Sequence, residues 1–193
     1  MVNLTRIYTR TGDDGTTRLG DMSTTSKLDL RLLAYADCDE ANSHIGVALA
    51  SSHGDASLSP ELVRVLTHIQ NDLFDVGADL SCPVMDDPPY PPLRVESDYV
   101  DRLEAWCDQF NEDLPKLRSF ILPGGTVPAS HLHVARTVSR RAERAAWAAM
   151  AEHEDMNPLA AKYLNRLSDL LFIAARYANS AAGDVLWVPG GER

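Results

Sequence analysis

Cysteine is scarce in this chain: Cys38, Cys82 and Cys107 are the only three among 193 residues. They are odd in number, widely spaced and free of CxxC pairs, which excludes a disulfide framework and a zinc knuckle. No run approaches the ~20 apolar residues of a membrane span, and the opening MVNLTRIYTR lacks the apolar core of a signal peptide. A cytoplasmic location away from membranes is therefore expected. Positive charge is also in deficit. With a net charge of -10 the chain as a whole repels nucleic acid, so any anionic ligand must be held by a local cluster of cations. Three catalytic signatures are missing as well. There is no Glu-x-x-His for a di-metal bundle site, no GxSxG turn for a serine nucleophile, and no GxxxxGK[ST] phosphate loop. Internal repeats and long low-complexity tracts are absent too.

What is present is an ordinary globular composition, 45% hydrophobic and 24% charged, long enough to bury a core as one domain over residues 1–193. The most distinctive stretch is Leu132 to Arg144, LHVARTVSRRAER, which concentrates arginine in an acidic chain. At ~100° per residue, Ala135, Val138, Ala142, Ala145 and Ala149 form an apolar seam. Arg136, Arg140, Arg144, Glu143 and His133 gather opposite, with Arg141 at the border. Taken alone, this pattern fits a solvated charged face better than an anion site. His131 and His133 are two residues apart and point to different faces, so they read as surface or interface histidines and not as a shared metal site.

Residues 5–27 show neither helical nor strand periodicity and concentrate Thr, Ser, Gly and basic residues. The segment fits a phosphate cradle and a disordered tail equally well. Helical seams follow. The first uses Leu30, Leu33, Ala34, Cys38, Ala41, Ile45 and Ala48. The second starts at the N-cap Ser59 with Pro60 in the first turn, then Leu62, Leu66, Ile69, Leu73, Val76 and Leu80. A proline-rich crossover at 81–95 separates them from a third helix at Ser97–Glu112, with Val100, Leu103, Trp106, Cys107 and Phe110 inward. A loop at 115–128 carries Phe120 and the Gly124-Gly125 pair before the arginine helix. Phe120 reads either as a core plug or as a wall for a large apolar ligand. The last helix has a seam of Ala160, Leu164, Leu167, Leu171, Ala174 and Ala178, with Lys162, Asn165, Asp169 and Arg176 on its polar side. The tail after residue 181 is expected to pair as a short strand or to cover a helix end. The sum is an all-α, five-helix up-down bundle at 28–181, preceded by an N-terminal loop at 1–27 and followed by a tail at 182–193.

The clustered arginines, with Lys27, the Thr and Gly amides and Asn165, make a donor set for a nucleoside triphosphate, since guanidinium binds phosphate oxygens bidentately. Because the arginines face away from their own seam, a second wall is needed, and a neighbouring subunit would supply it. Three functions fit the residues: a transferase, a nucleotide-gated carrier with little turnover, and an acidic bundle scaffold with solvated arginines.

Four ordered blocks spread over nearly the whole chain resemble the PduO-type ATP:cob(I)alamin adenosyltransferases: YTRTGDDGTT with Lys27, AYADCDEANSHIG, FILPGGTVPASHLHVARTVSRRAER and YLNRLSDLLFIAAR. The resemblance implies a homotrimer that binds ATP between subunits and moves its 5′-deoxyadenosyl group to the cobalt of cob(I)alamin, itself reduced from cob(II)alamin. It implies ATP contacts from Thr9, Arg10, Thr11, Gly12, Thr17, Lys27, Arg140, Arg141, Glu143 and Arg144, with Asn165 near the triphosphate and its Mg2+. Arg136 is expected to pair across the interface with Asp39, and Phe120 to close the lower face of the corrin. A flavin-dependent reductase and a B12-dependent mutase are the implied partners. The pattern YGxxDELN of that family stands here as YADCDEAN, with Ala36 and Ala41 beside an unshifted Asp39, Glu40 and Asn42.

Overall fold

The computed structural model describes residues 8–52, 58–88 and 90–190. A two-stranded antiparallel hairpin, β1 (Thr16–Arg18) and β2 (Thr24–Ser26), precedes five helices: α1 (Leu30–Ser51), α2 (Pro60–Leu80), α3 (Ser97–Glu112), α4 (Val127–Glu152) and α5 (Pro158–Ala178). The hairpin is in register Thr16↔Ser26, Thr17↔Thr25 and Arg18↔Thr24. It replaces part of the expected unstructured loop. Its strands are three residues each and mostly hydroxylated, so they carry no alternating apolar signal, and the turn relies on Met22 at φ 71°.

Helix starts follow local chemistry. Ser59, Thr126 and Asn157 each accept a backbone N–H with their side chains, and α2, α4 and α5 all carry proline in the first turn. These are the positions where a missing N–H costs nothing. Asp29 caps α1 by accepting from the Arg31 N–H at 2.9 Å.

α4 is the central element and packs against both α1 and α5, while α2 lies on α1 and α3 lies on α5. Alanine decides the closeness of the central contact. Ala135, Ala142, Ala146 and Ala149 of α4 and Ala34, Ala41 and Ala48 of α1 are all completely buried, and small side chains let helix axes approach. The α4 seam is wider than its alanine periodicity implies. It takes in Ala146, Ser139 and His133, while Ala145 is only half-buried.

Three expectations are corrected. Leu33 is 51% exposed and not in the α1 seam, because Leu32 and Ala34 on either side take the buried positions. His133 is 2% exposed rather than on the solvent face, since α4 is covered there by Phe172 of α5. Arg176 is 4% exposed and not on the polar stripe of α5: its guanidinium donates to Asp184 at 2.8 Å and to the Pro115 carbonyl at 2.7 Å, which makes burial tolerable.

The proline-rich crossover is tied down by one buried carboxylate. Asp79 accepts from Arg94 at 2.6 Å, from the Val95 N–H at 2.7 Å and from Asn157 at 2.6 Å, so α2, the crossover and the start of α5 meet at one residue.

Candidate functional site

The loop between α3 and α4 is held open by the tail. The Trp187 N–H donates to the Phe120 carbonyl at 2.8 Å, the Leu122 N–H donates to the Val185 carbonyl at 2.7 Å, and Ile121 and Leu186 form an antiparallel bridge. The tail thus adopts the short-strand alternative. Asn179, at the end of α5, fixes the other side of the loop by accepting from the Thr126 N–H and donating to the Gly124 carbonyl, both at 2.9 Å. Phe120 is left 79% exposed, in edge contact with Trp187 at 6.1 Å between centroids.

Beneath them opens a cleft of about 820 Å³, walled by Phe120, Ile121, Phe172 and Trp187 and floored by His133 and Arg136. Burial, and then the neighbouring Arg140, lower the Arg136 pKa from its ordinary value. Burial, and then Arg136, likewise lower that of His133, with Asp184 acting in the opposite direction. A large cleft with aromatic walls and a few polar floor groups suits a broad, mainly apolar molecule with a polar rim. Of the expected site residues, Phe120 and Arg136 share this cleft.

Asp39 lies elsewhere, in a cleft of about 610 Å³ between α1 and α2 that also contains Arg18, Tyr35, Asn42 and the exposed Phe74. Within one protomer, Asp39 and Arg136 therefore line different clefts. A smaller hollow of about 300 Å³, with Thr17, Lys27 and Leu33, adjoins through Tyr35 and Ala36, which border both.

The N-terminal segment folds onto Lys27. Its ammonium donates to the Gly12 carbonyl at 2.6 Å, and a Cβ on Gly12 would come within 2.9 Å of the Thr16 carbonyl oxygen, so the turn packs too closely for a side chain. Arg10 has φ 63°, and the Thr9 and Thr11 hydroxyls are 2.9 Å apart. Hydrogen bonds from Thr16 hold the Asp14 carboxyl below its ordinary pKa, so this turn is braced by its own side chains.

On α4, Arg140 and Arg144 are exposed, and Arg144 donates to the Arg140 carbonyl at 3.0 Å. Glu143 accepts from the Trp147 indole at 3.4 Å. Arg141 is committed to α1: it pairs with Asp37 at 3.0 Å and with Glu40, and its bond to Asp37 is the largest cause raising its pKa. Asn165 is exposed on α5. Among the described residues, no three His, Cys, Asp or Glu side chains converge on a metal, and no helix is long and apolar enough to cross a membrane.

The sequence model of the cobalamin adenosyltransferase family matches residues 7–178. The chain belongs to that family. It is 63% identical over 193 residues to a corrinoid adenosyltransferase of Mycobacterium tuberculosis, covering 100% of this chain and 97% of that one. A corrinoid adenosyltransferase of Bacillus subtilis is 42% identical over 178 residues, covering 92% and 89%. Among solved structures, a variant PduO-type ATP:corrinoid adenosyltransferase from Lactobacillus reuteri, complexed with cobalamin and ATP, superposes with a TM-score of 0.86 at 38% identity, covering 95% of this chain and 100% of that one. Another variant of that enzyme, complexed with ATP, gives a TM-score of 0.83 at the same identity, covering 95% and 100%.

In this cobalamin adenosyltransferase, the sequence reading missed Trp187, His133 and Asn179 as residues of the site. The apolar VLWV run after Gly183 was the available signal for Trp187. His133 and Asn179 carried none, because their roles depend on α5 and the tail closing over them.

Proposed function

We propose that the chain transfers the 5′-deoxyadenosyl group of ATP to the cobalt of cob(I)alamin, releasing triphosphate and forming adenosylcobalamin. The observation that carries this reading is the similarity, over 95% of this chain, to a relative solved with both cobalamin and ATP, together with the cleft of about 820 Å³ lined by Phe120, Phe172 and Trp187. No protein nucleophile is needed. The Co(I) electron pair forms the Co–C5′ bond while the C5′–O bond breaks and its pair departs with triphosphate, leaving cobalt formally Co(III). The protein positions the two substrates and stabilises charge on the leaving group.

In this reading, Arg140, Arg144 and Lys27 meet the phosphates, and Thr9 to Gly12 and Thr17 of the 1–27 segment close over them. Arg141 joins the phosphate site by exchanging its α1 carboxylates for phosphate oxygens, and Glu143 faces the nucleoside end. Mg2+ would arrive with the nucleotide, held mainly by phosphate oxygens with Asn165 as a single protein donor. Phe120 keeps the lower face of the corrin apolar. A cobalt deprived of its lower axial ligand is easier to reduce from Co(II) to Co(I).

The active unit is a homotrimer. Its support is the division of the expected residues between separate clefts of one protomer, as a pairing of Arg136 with the Asp39 of a neighbouring subunit would require. A flavin-dependent reductase supplies the electron, a B12-dependent mutase takes the product, and both act with it in the cytoplasm. The test is anaerobic incubation with ATP, Mg2+ and chemically reduced cobalamin. Stoichiometric adenosylcobalamin and triphosphate support a transferase, whereas binding of both ligands with no turnover indicates a carrier.

A further inference from the structure

We infer that His133 is a corrinoid-binding residue whose neutral imidazole hydrogen-bonds a carboxamide arm on the corrin rim. The inference rests on the corrinoid reading of the Phe120 cleft and adds to it a residue that recognises the ring's periphery.

His133 is 98% buried by its surroundings, with 2% of its surface exposed, yet it lines the cleft. Neither its Nδ1 nor its Nε2 has a hydrogen-bond partner in the protein. Buried polar side chains are nearly always paired, and an orphaned group at a ligand cleft points to the ligand as its partner. Around it, Phe172 meets the ring edge-on at 6.3 Å, and the cleft lining also includes Phe120, Trp187, Arg118 and Ser119, none of which bonds either nitrogen. The Nε of Arg136, one turn along α4, is orphaned in the same way. Polar groups without partners thus cluster on the cleft floor, beneath walls shaped for an apolar ring.

The chemistry of the rim matches. A corrin carries acetamide and propionamide arms, each with a carbonyl acceptor and an NH2 donor. A neutral imidazole donates from one nitrogen and accepts at the other, so it can serve both ends of a carboxamide, whereas an imidazolium only donates. On balance the groups facing His133 favour the neutral form. Arg136 stands beside it on α4 and disfavours a second positive charge; on the other side the Asp184 carboxylate of the tail, held by Arg176 of α5 through Oδ2 with its Oδ1 unpaired, acts in the opposite direction. Burial works in the same direction as Arg136.

The test compares His133→Phe with His133→Gln in the full-length protein, measuring Kd for cob(II)alamin from its absorption change, KM for ATP and melting temperature. Loss of one neutral hydrogen bond predicts a corrinoid Kd raised about tenfold in H133F with KM for ATP unchanged, while Gln, which keeps a donor and an acceptor, stays within about threefold of wild type. Wild-type Kd should hold through the ordinary imidazole value of 6.5 and climb only as pH falls through the lower value that burial and Arg136 give His133, and H133Q should lack that climb. Equal corrinoid affinity in wild type and H133F, or equal damage from Phe and Gln, overturns the inference and makes His133 a packing residue. If H133F does not fold, the pH profile of H133Q against wild type decides alone. A wild-type protein that binds no corrinoid at all overturns the corrinoid reading and this inference with it, whereas wild-type binding that H133F leaves intact overturns the inference alone.

Discussion

Replacing Gly125 by alanine should damage the corrinoid half of the site through the backbone alone. Gly125 has φ 102°, and a Cβ there would lie 2.2 Å from the Asn179 Oδ1 and 2.3 Å from its Nδ2. Asn179 is 2% exposed and cannot swing into solvent. It would have to abandon the Thr126 N–H and the Gly124 carbonyl, the two bonds that fix the Phe120 loop and the start of α4 to the end of α5. Strain at a left-handed φ contributes about 1 to 3 kcal/mol and each of the two lost bonds about 0.5 to 1.5 kcal/mol, so the total falls at about 2 to 6 kcal/mol. For a chain of this length that is a fall of about 4 to 24 °C in Tm. Urea melts give the stability, and single-turnover transfer gives the function: the corrinoid step should slow while KM for ATP holds. Gly124→Ala is the control, because a Cβ there meets nothing within 4 Å, and it should stay within about 0.5 kcal/mol of wild type. If the two alanine variants melt together, the Asn179 clamp is not what holds the loop.

Arg140→Ala should raise KM for ATP about ten- to hundredfold, the size of a charge-assisted phosphate contact of about 1.5 to 3 kcal/mol, with cob(II)alamin affinity preserved; unchanged ATP kinetics would remove Arg140 from the triphosphate site. Phe120→Ala should leave Tm near wild type, since the ring is 79% exposed, and should slow reduction and transfer without changing KM for ATP. A melt lowered by several degrees would make Phe120 a packing residue. Asp39 and Arg136 should show a coupling of about 1 kcal/mol or more in a double-mutant cycle on transfer rate, and simple additivity would sever the pair. Stability should also depend on His133 below neutral pH. Its folded pKa lies below the ordinary 6.5 because of burial and Arg136, so the unfolded chain takes up the proton first and stability falls as pH drops through 6.5 toward the folded value. The His133→Phe variant should lose that component of the slope, which melts between pH 7.5 and about 5 would reveal.

The bundle was legible because its helices are written locally. The steps of four and three along Leu62, Leu66, Ile69, Leu73, Val76 and Leu80 match a fully buried α2 stripe, and Ser59 with Pro60 marks its start. Phe120 and Arg136 were singled out from motifs, and the fold places them in one cleft. What stayed hidden depends on distant chain. The burial of Arg176 requires Asp184 and the Pro115 carbonyl, and that of His133 requires Phe172, none of which a helical wheel contains. The Thr-rich hairpin escaped because strands of three hydroxylated residues have no hydrophobic period. Arg141 sits at the border of the α4 stripe by periodicity, and the fold uses that position to reach Asp37 and Glu40 on α1.

The central claim is that this chain forms a cobalt–carbon bond from ATP. Anaerobic single turnover with ATP, Mg2+ and cob(I)alamin, followed by absorption and by phosphate analysis, tests it most directly. The account predicts one adenosylcobalamin and one intact triphosphate per turnover, in equal amounts. Release of ADP and orthophosphate, or loss of ATP with no light-sensitive alkylcobalamin, would contradict it.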